Sequence, residues 1–590
     1  MNTLIRFRSK RKMRIPKLVN DQGMVFESDE DICAQLRREF IVSSSASNVN
    51  EFTENVDSYC LDYLIDNPDY EFKKVTTTEI EEAIAYVKKS KDSSGSVPRY
   101  IYKQFSGALS VPLAKIFNSI LTNSSIPSSL KNSNCTPLYK GRGRYTSSSS
   151  YRAIYGLSFI TKVFERIIYL RLLSMVEDEL LDNQHGFRSK RSCETAVAQF
   201  TQSVFNAIDN TRGKVIAVFV DFSKAFDTVK HSLLVLKLIK KFSSKVEPYM
   251  AKLLQNYLAG RKFNIENGEF TSDFFTSQAL SFFINDIGDA ISLSFVLYAD
   301  DLVFLFNATD LDAGLAEIEK CYYELIEWCE VNSLQVNQSK TKAMLFHKAN
   351  DFKSKGLLGK QVELRGDKID VVESFKYLGV IVDSNLTFSE HYKHVECKMN
   401  IALGKMYSLR RFFNEDIVKT FISCYVVSIP DYCLSLWSVQ KDRQLEKLQV
   451  KINRFLVTYF LNSNEKKVGR KWDCASDSMG DLFVKINLLT IVERRKLALL
   501  SFVPKCKKID SMVDWFSPSD LRRSSEHEIT SLKVTRASSS CYQRSIKWSA
   551  TLNWNSFVQK VVPQGDWCLG HFINVCCEKL ISMRSGDFVT

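Results

Sequence analysis

A run of six apolar residues, Val215–Val220, ends at the acidic residue Asp221. A second apolar stretch, Phe295–Phe306, is interrupted by the pair Asp300 and Asp301. The first pattern predicts a buried strand that ends in a carboxylate, and the second predicts a β-hairpin with two carboxylates at its tip. Burying adjacent carboxylates among apolar residues is costly unless cations neutralise them. Together, the two patterns predict an acidic cluster able to hold two Mg²⁺ ions about 4 Å apart.

Each acidic motif also has a simpler interpretation, because polar turns that join two strands often contain aspartate. For a single Asp-Asp pair, the turn is the better interpretation. The presence of both motifs, in this order and on a basic chain, favours the metal-binding cluster instead.

The composition describes a large basic protein built from several structural units. The 590 residues include 80 Lys and Arg against 67 Asp and Glu, a formal net charge of +13. The 45% hydrophobic and 25% charged residues exclude wholesale disorder. No apolar run approaches the ~18 residues of a membrane-spanning helix, and no secretory signal follows the basic N-terminus. We therefore expect an intracellular protein of the nucleus, the cytoplasm or both, which is not secreted and does not bind membranes.

Basic residues form three clusters. Seven lie within residues 1–20 and five within residues 131–152, in both cases without an acidic residue, and a third cluster comprises Arg188, Lys190 and Arg191. Such clusters suit phosphate backbones, where each contact releases condensed counterions. For residues 1–20 alone, a solvated surface or a nuclear-import tract is an equally good interpretation.

The cysteines give no sign of a disulfide framework. There are 15, an odd number, with irregular spacing and no C-x-x-C pair, which indicates reduced thiols. Cys568, His571, Cys576 and Cys577 resemble part of a zinc site, but the last two are adjacent. Two well-separated ligand pairs normally close the tetrahedron around zinc, so buried thiols are the better interpretation.

The order of predicted elements indicates an α+β fold. Residues 21–95 and 99–210 have mainly helical patterns with polar loops, and residues from about 391 onward are mainly helical again. Strand-like runs occur between them, at 214–220, 294–306, 343–347 and 375–383. Helices mixed with a few antiparallel strands are typical of α+β proteins.

The motif Tyr298-Ala299-Asp300-Asp301 follows the block Asp221-Phe222-Ser223-Lys224-Ala225-Phe226-Asp227, and together they resemble the palm of a reverse transcriptase. More narrowly, they resemble the reverse transcriptases of non-LTR (LINE-type) retrotransposons. Other blocks of that family occur in the family's order: Tyr151-Arg152-Ala153-Ile154, Gln184-His185-Gly186-Phe187-Arg188, Trp328 to Thr341, and Phe375-Lys376-Tyr377-Leu378-Gly379-Val380. The resemblance covers roughly residues 75–590.

The resemblance implies a right-hand polymerase. Fingers would span 76–210, the palm 211–390 and a helical thumb 391–460, preceded by a basic, helical linker over 1–75 and followed by a C-terminal region, 461–590, of unknown role. The implied activity is that of an RNA-directed DNA polymerase, which uses an RNA template, a DNA primer, dNTPs and two Mg²⁺ ions, with Mn²⁺ as a substitute.

Catalytic roles are implied position by position. Asp221, Asp300 and Asp301 would hold the metal ions beside the backbone carbonyl of Phe222, to activate a primer 3′-hydroxyl and stabilise the leaving pyrophosphate. Lys340 matches a candidate general acid, although a capping or surface lysine is nearly as good an interpretation.

Substrate-binding roles are implied in the same way. Phe226 matches the bulky gate that excludes the ribonucleotide 2′-hydroxyl, with core packing as its alternative. Lys140 and Arg152 match residues that contact the incoming triphosphate. The alternative interpretation of these two residues is non-specific contact with a nucleic-acid backbone. Leu378 and Gly379 would form the primer grip, where glycine permits close backbone approach.

The chain departs from the family pattern at one block. The family has G-V-P-Q-G-S-x-L before F-I-N-D, whereas this chain reads Phe275 to Asp286 without the glycine-proline core, so that Gln278 is a remnant of the substrate pocket. Poor substrate positioning alone can cost ~100-fold in rate. The family's N-terminal endonuclease is also missing from the expected organisation.

Two hypotheses follow. The chain is an RNA-directed DNA polymerase, or it is an inactive remnant of a retroelement that at most binds nucleic acid, through decay or through a gene model that skipped coding sequence near 278–281. A group II intron-type maturase or a telomerase-like enzyme matches the C-terminal blocks less well.

Overall fold

A computed structural model of the chain describes residues 15, 17–20, 23–40, 49–67, 73–87, 99–141, 143–211, 214–223, 225–242, 245–265, 268–271, 280–308, 310–347, 361–409, 412–438, 442–460, 483, 486, 488–516, 532, 534, 542–561 and 569–582. These residues form two compact units. The first unit draws on 1–180, 224–286 and 329–335, and the second on 181–223, 287–328 and 336–590.

The strands of the described residues are, in chain order, β1 (Leu18–Val19), β2 (Val25–Phe26), β3 (Asn132–Tyr139), β4 (Tyr151–Leu157), β5 (Lys214–Asp221), β6 (Lys262–Ile265), β7 (Gly268–Thr271), β8 (Ser294–Tyr298), β9 (Asp301–Ala308), β10 (Lys342–Phe346), β11 (Gln361–Leu364), β12 (Asp367–Val371), β13 (Ser374–Tyr377) and β14 (Val380–Asp383).

The longer helices are Asp29–Phe40, Val49–Asp66, Thr77–Tyr86, Ser106–Asn123, Phe159–Val176, Cys193–Thr211, His231–Lys241, Pro248–Leu258, Leu311–Asn332, Ser389–Leu409, Asp442–Phe460, Ile491–Cys506, Ile546–Val561 and Leu569–Ser582. Shorter helices include Arg99–Gln104, Ala225–Thr228, Leu280–Phe283, Ile287–Ala290, Glu415–Phe421 and Leu434–Trp437, and a π-helix spans Ile422–Val427. No helix among the described residues is both long and apolar enough to cross a bilayer.

The first unit contains a four-stranded sheet in the order β4-β3-β6-β7. β3 pairs antiparallel with β4 and parallel with β6, and β6 pairs antiparallel with β7. At one end of the β3–β4 pair, the rings of Tyr139, Tyr145 and Tyr151 lie with centroids 5.2–5.8 Å apart. This aromatic cluster supports the connection between β3 and β4.

Part of the segment 1–75, expected to be a linker, packs in the first unit. Ile32, Leu36 and Phe40 are buried in one core with Tyr151 and Phe263 of the four-stranded sheet. The spacing of four residues places the three side chains on one face of the helix Asp29–Phe40. This apolar face anchors the helix in the first unit.

The first unit also buries a charged pair. The guanidinium of Arg261 is fully buried, lies 3.6 Å from Glu165 and donates a hydrogen bond to the Tyr257 hydroxyl at 3.2 Å. Tyr257 in turn donates to Glu165. Burial raises the pKa of Glu165, and Arg261 opposes this effect.

The second unit contains a six-stranded sheet in the order β11-β12-β10-β5-β9-β8. All neighbours are antiparallel except β10 and β12, which are parallel. β5 lies inside this sheet, between β10 and β9, and its residues Val215–Val220 are all buried. An interior strand covered on both faces has no polar side, which explains why this run is uninterrupted by polar residues.

The predicted strands are confirmed. The run 214–220 is β5, the stretch 294–306 is the hairpin β8–β9, 343–347 corresponds to β10, and 375–383 is the hairpin β13–β14. The described residues beyond 389 are mainly helical, as predicted. The α+β prediction is confirmed at the level of a mixed helical and sheet architecture with mostly antiparallel pairing.

The cysteines near the C-terminus fit the buried-thiol interpretation. Cys576 is buried with Phe572 and Leu580 on the helix Leu569–Ser582, and Cys577 packs against the same core. Cys568 and the side chain of His571 lie outside the described residues.

We predict that Arg261→Ala destabilises the first unit by about 3–5 kcal/mol, because it leaves the Glu165 carboxyl group buried without its cation. The measurement is thermal unfolding of the full chain at neutral pH. Lys252→Ala is the matched control: its 3.1 Å ion pair with Asp57 is exposed and should contribute less than about 1 kcal/mol. Equal effects of the two substitutions would contradict the structural role of the buried pair.

Candidate active site

The backbone pairing of β5 with β9 brings the predicted acidic residues together. Asp221 and Asp301 are Cα partners at the end of this antiparallel pair, and Tyr298 and Asp301 are partners at the end of the β8–β9 pair. Ala299 and Asp300 form the tip of the hairpin, and Ala299 has a positive φ of 57°. The second unit therefore presents three carboxyl groups at one end of its sheet.

The carboxyl groups interact electrostatically. Burial, followed by the charges of Asp300 and Asp221, raises the pKa of Asp301 to about 7. Lys340 acts in the opposite direction. Since like charges and desolvation both disfavour the ionised form, this end of the sheet carries more negative charge than its surroundings neutralise.

Lys340 contacts the cluster directly. Its Nζ lies 2.7 Å from Asp221 Oδ2, and both side chains are partly exposed. The backbone N–H of Asn337 donates to the Asp221 carbonyl at 2.7 Å, and Phe222 forms an antiparallel bridge with Val336. The segment that carries Lys340 is thus hydrogen-bonded to the end of β5, which places the ammonium group beside Asp221.

The segment Gln184–Arg188 is hydrogen-bonded to the hairpin β8–β9 close to its tip. From the sequence, this segment was identified only as one of the blocks that occur in the family's order. The backbone of Gln184 bridges in parallel to Leu297 of β8. Its side-chain Oε1 accepts hydrogen bonds from the N–H groups of Gly186 at 2.8 Å and Ala299 at 3.2 Å. A Cβ at Gly186 would lie 2.3 Å from the Ala299 nitrogen, so only glycine permits this approach.

His185 in the same segment is structural. Its ring lies between Thr195 Oγ1 at 2.9 Å and Gln199 Oε1 at 2.7 Å, and burial lowers its pKa to about 3. The imidazole is therefore neutral at physiological pH and cannot act there as a proton donor to a substrate.

Two members of the third basic cluster are also engaged inside the second unit. The side chains of Arg188 and Arg191 are 8% and 4% exposed. Arg188 donates to the Leu181 carbonyl at 2.7 Å, and Arg191 lies 2.9 Å from the Asp182 carboxylate. The expectation that this cluster contacts phosphate is wrong for these two arginines, because their guanidinium groups hold the loop around 181–191.

The residues of the acidic cluster fit a divalent cation by their chemistry. Carboxylate oxygens are the ligands that Mg²⁺ prefers, and the raised pKa of Asp301 reflects negative charge that a cation would relieve. Among the described residues, however, no three His, Cys, Asp or Glu side chains converge closely enough to form a ready-made metal site. The Lys340 ammonium group lies against Asp221 instead.

The predicted primer-grip residues form a second turn in the same unit. Leu378 and Gly379 connect β13 to β14 and have positive φ values of 45° and 86°. The left-handed conformation of Gly379 is one that glycine adopts without strain.

The other predicted site residues lie in the first unit or outside the described residues. Lys140 follows β3, where its Nζ donates to the Ser149 carbonyl at 2.6 Å. Arg152 is an exposed residue of β4. The backbone of Phe226 belongs to the helix Ala225–Thr228, but its side chain lies outside the described residues, as does Gln278.

A family model described as "Reverse transcriptase (RNA-dependent DNA polymerase)" matches residues 139–382, which include the acidic cluster, Lys340 and the turn at 378–379. Residues 139–382 are thus similar to the reverse transcriptase family. The predicted resemblance is thereby confirmed for the part of the chain that holds the candidate site.

Curated relatives agree with this assignment. The chain is 27% identical over 371 residues to a probable RNA-directed DNA polymerase from transposon BS of Drosophila melanogaster, an alignment that covers 58% of this chain and 40% of the relative. It is 24% identical over 361 residues to a probable RNA-directed DNA polymerase from transposon X-element of the same organism, which covers 58% of this chain and 38% of the relative. It is 25% identical over 316 residues to the RNA-directed DNA polymerase from mobile element jockey of that organism, which covers 50% of this chain and 33% of the relative. These similarities confirm the predicted resemblance to LINE-type reverse transcriptases. The chain spans less than half the length of each of them.

We predict that Gly186→Ala displaces the hairpin tip and destabilises the second unit by about 1–3 kcal/mol, because the added methyl group overlaps the Ala299 backbone. Thermal unfolding without nucleic acid measures the effect. The control is Gly404→Ala on the helix Ser389–Leu409, where nothing lies within 4 Å of the added carbon and alanine should be neutral or stabilising. Equal stability of Gly186→Ala and the wild type would contradict the close contact.

The raised pKa of Asp301 generates a pH-dependent prediction. In EDTA, the folded state binds a proton at Asp301 up to about pH 7, whereas the unfolded chain releases it near pH 4. The stability contributed by this proton is therefore fully present below about pH 4 and is lost as the pH rises through about 7. The stability of Asp301→Asn, which carries no charge, should therefore increase relative to the wild type by ~1–3 kcal/mol between pH 5 and pH 8.

The difference in unfolding midpoint between Asp301→Asn and the wild type, measured across pH 5 to 8, checks this prediction. Asp370→Asn on β12 is the control, because Lys342 lowers the pKa of Asp370 and the carboxylate stays ionised throughout that range, so the effect of the substitution should not vary with pH. A difference in unfolding midpoint between Asp301→Asn and the wild type that does not change with pH would show that the pKa of Asp301 is not raised.

Proposed function

We propose that the chain is an RNA-directed DNA polymerase, which adds deoxynucleotides to a primer 3′-hydroxyl opposite an RNA template. The observation that carries this proposal is the pairing of Asp221 with Asp301, with Asp300 beside them, inside residues 139–382. Nucleotidyl transfer needs charge stabilisation on both the attacking and the leaving oxygen, and paired carboxylates that hold metal ions provide it. The similarity to the transposon polymerases supports the same activity.

The proposed cofactor is Mg²⁺, held by Asp221, Asp300 and Asp301. When bound, the ions would lower the pKa of the 3′-hydroxyl and neutralise the charge that develops on the phosphates. Lys340, whose ammonium group lies 2.7 Å from Asp221, is in our proposal the acid that gives a proton to the leaving pyrophosphate.

The proposed substrate contacts follow the right-hand organisation, with fingers over 76–210, a palm over 211–390 and a thumb over 391–460. Lys140 and Arg152 would contact the incoming triphosphate, and Phe226 would exclude the 2′-hydroxyl. Gln278 would line the pocket. Leu378 and Gly379 would support the primer end, which the close-approach conformation at Gly379 favours. RNA template, DNA primer and dNTPs are the proposed partners.

A second candidate is a catalytically inactive retroelement remnant that at most binds nucleic acid. The sequence of residues 275–283, which lacks the family's glycine-proline core, favours this candidate. A chain that cannot position its substrate would still present its basic residues to nucleic acid.

Primer extension tests the polymerase proposal. The full chain, a poly(rA) template with an oligo(dT) primer, dTTP and Mg²⁺ should yield extended product. Asp221→Asn and Asp301→Asn should each lower the rate at least ~100-fold, because each removes a carboxylate from the charge-stabilising cluster. Asp370→Asn, the same change on β12 of the same sheet, should retain the wild-type rate.

Absence of product from the wild-type chain with either Mg²⁺ or Mn²⁺ would contradict the polymerase proposal. If that chain still binds the primer–template, and a rebuilt glycine-proline block at residue 278 restores product, then the remnant is the correct interpretation.

A further inference from the structure

The C-terminal region, to which the proposed function gives no role, contributes the helix Ile491–Cys506 to the second unit. This helix begins at a capping box formed by Thr490 and Glu493, whose side chains each accept a hydrogen bond from the backbone N–H of the other residue. Phe502 of the helix is buried in one hydrophobic core with Tyr377 of β13. The helix is therefore part of the same packed unit as the candidate active site.

Arg494, the fourth residue of this helix, forms a bidentate ion pair with Asp431. Its Nε donates a hydrogen bond to Asp431 Oδ1 at 2.7 Å, and its Nη2 donates to Asp431 Oδ2. The two side chains are 26% and 30% exposed, so that water screens the pair only partly. Two parallel N–H···O bonds fix the orientation of a carboxylate in addition to attracting it. The ion pair therefore sets the position of Asp431 relative to the helix.

The residue after Asp431 is Tyr432, which lies in a break between two short helices. Ser428–Asp431 and Leu434–Trp437 have four residues each, and Cys433 between them has a positive φ of 52°. A single helical turn is not stable by itself, because its nucleation costs more than its few hydrogen bonds return. The position of Tyr432 therefore depends on contacts that longer elements make with its neighbours.

The short helix Leu434–Trp437, which follows Tyr432, is held by the same long helix. Ser435 Oγ donates a hydrogen bond to Glu194 Oε1 at 2.5 Å. Lys505, near the end of the long helix, places its Nζ 2.9 Å from Glu194 Oε2. Arg494 and Lys505 thus hold the segments on either side of Tyr432, the first directly and the second through Glu194.

Tyr432 contacts the turn between β13 and β14. Its hydroxyl donates a hydrogen bond to the Leu378 carbonyl at 2.7 Å, and its ring lies against Gly379, where an added Cβ would be 3.0 Å from the ring. The buried Trp437 donates its indole N–H to the Tyr432 carbonyl at 3.1 Å. β13 and β14 form a two-stranded sheet of their own, and such a hairpin is at best marginally stable without outside support. Tyr432 supplies part of that support.

We propose that Arg494 is a positioning residue for the 378–379 turn, on which it acts through Asp431 and Tyr432. This inference rests on the proposed polymerase function, in which the turn supports the primer end. It gives the C-terminal helix Ile491–Cys506 a role in polymerisation, which is to hold the primer end in register with the carboxylates. Such support matters because small misplacements of reacting groups reduce the rate strongly.

The variants separate this role from general stability. Arg494→Ala removes the ion pair, and Arg494→Lys keeps the positive charge but cannot form the two parallel bonds. Tyr432→Ala removes the half-exposed side chain through which Arg494 is proposed to act. Lys451→Ala is the matched control, because Lys451 pairs with Glu396 at 2.8 Å, with the same exposure of the two side chains, and not with the segment around Tyr432.

Hydrogen–deuterium exchange of the full chain without nucleic acid measures the positioning directly. The amides of 374–383 should exchange several-fold faster in Arg494→Ala than in the wild type, with Arg494→Lys between them. Lys451→Ala should stay within about 2-fold of the wild type, because its pair does not hold the turn. In the Tyr432→Ala background, Arg494→Ala should add less than about 2-fold, since residues that act through one contact are not additive.

Single-turnover primer extension measures the consequence for the reaction. Arg494→Ala should lower the maximal rate about 3- to 10-fold, because the primer end is less well placed. The dTTP concentration for half-maximal rate should stay within about 2-fold of the wild-type value, since the turn is proposed to contact the primer and not the nucleotide. Lys451→Ala should retain the wild-type rate.

The exchange measurement separates failure of this inference from failure of the proposed function. Unchanged exchange at 374–383 in both Arg494→Ala and Arg494→Lys would overturn the inference, whatever the activity. Equally fast exchange in Lys451→Ala, or fully additive effects of Arg494→Ala and Tyr432→Ala, would overturn it as well. If the exchange results are as expected but the wild type gives no extension product, the positioning of the turn stands and the polymerase proposal fails.

Discussion

The register between β5 and β9 is the constraint on which the candidate site depends. It pairs Asp221 with Asp301 at the point where both strands leave the apolar interior. Because side chains alternate between the two faces of a strand, a slip of one residue would turn one carboxylate to the opposite face. A slip that drew Asp221 into the buried interior behind Val215–Val220 would be costly, because a carboxylate would lose its hydration there.

This pairing brings negatively charged carboxyl groups together. The surrounding segments contact the end of β5 and the hairpin tip and so fix the positions of these groups. The 336–341 segment binds the end of β5 and supplies the Lys340 ammonium group. The side chain of Gln184 and the missing side chain of Gly186 hold the hairpin tip from the opposite side. Charge that the protein alone does not neutralise is an expected feature of a site that recruits cations. Backbone contacts therefore fix the positions of the carboxyl groups, and their negative charge favours the binding of a cation.

Some of this arrangement follows directly from sequence, and some does not. The six apolar residues before Asp221 and the acidic break after Tyr298 predicted a strand and a hairpin, because local periodicity determines such elements. The support from Gln184 and Gly186 was missed as a structural role, since it depends on contacts more than 100 residues apart. The glycine was the available signal, because a close backbone approach commonly requires one.

Charge patterns were a weaker guide than apolar spacing. The linker expectation over residues 1–75 left out the apolar face of the helix Asp29–Phe40. Two arginines of a cluster expected to contact phosphate are instead buried against the backbone and Asp182. Net charge describes solubility and partners better than it describes where a segment packs. The roles of Phe226 and Gln278 stay predictions, because those side chains lie outside the described residues.

Asp221, Asp300 and Asp301 are proposed to form one divalent cation site. Titration of the full chain with Mn²⁺, followed by the electron paramagnetic resonance signal of the free ion, tests this proposal without requiring catalysis. We expect saturable binding that Mg²⁺ displaces and that Asp221→Asn weakens by at least ~10-fold. Equal Mn²⁺ binding by the wild type and by Asp221→Asn would contradict it.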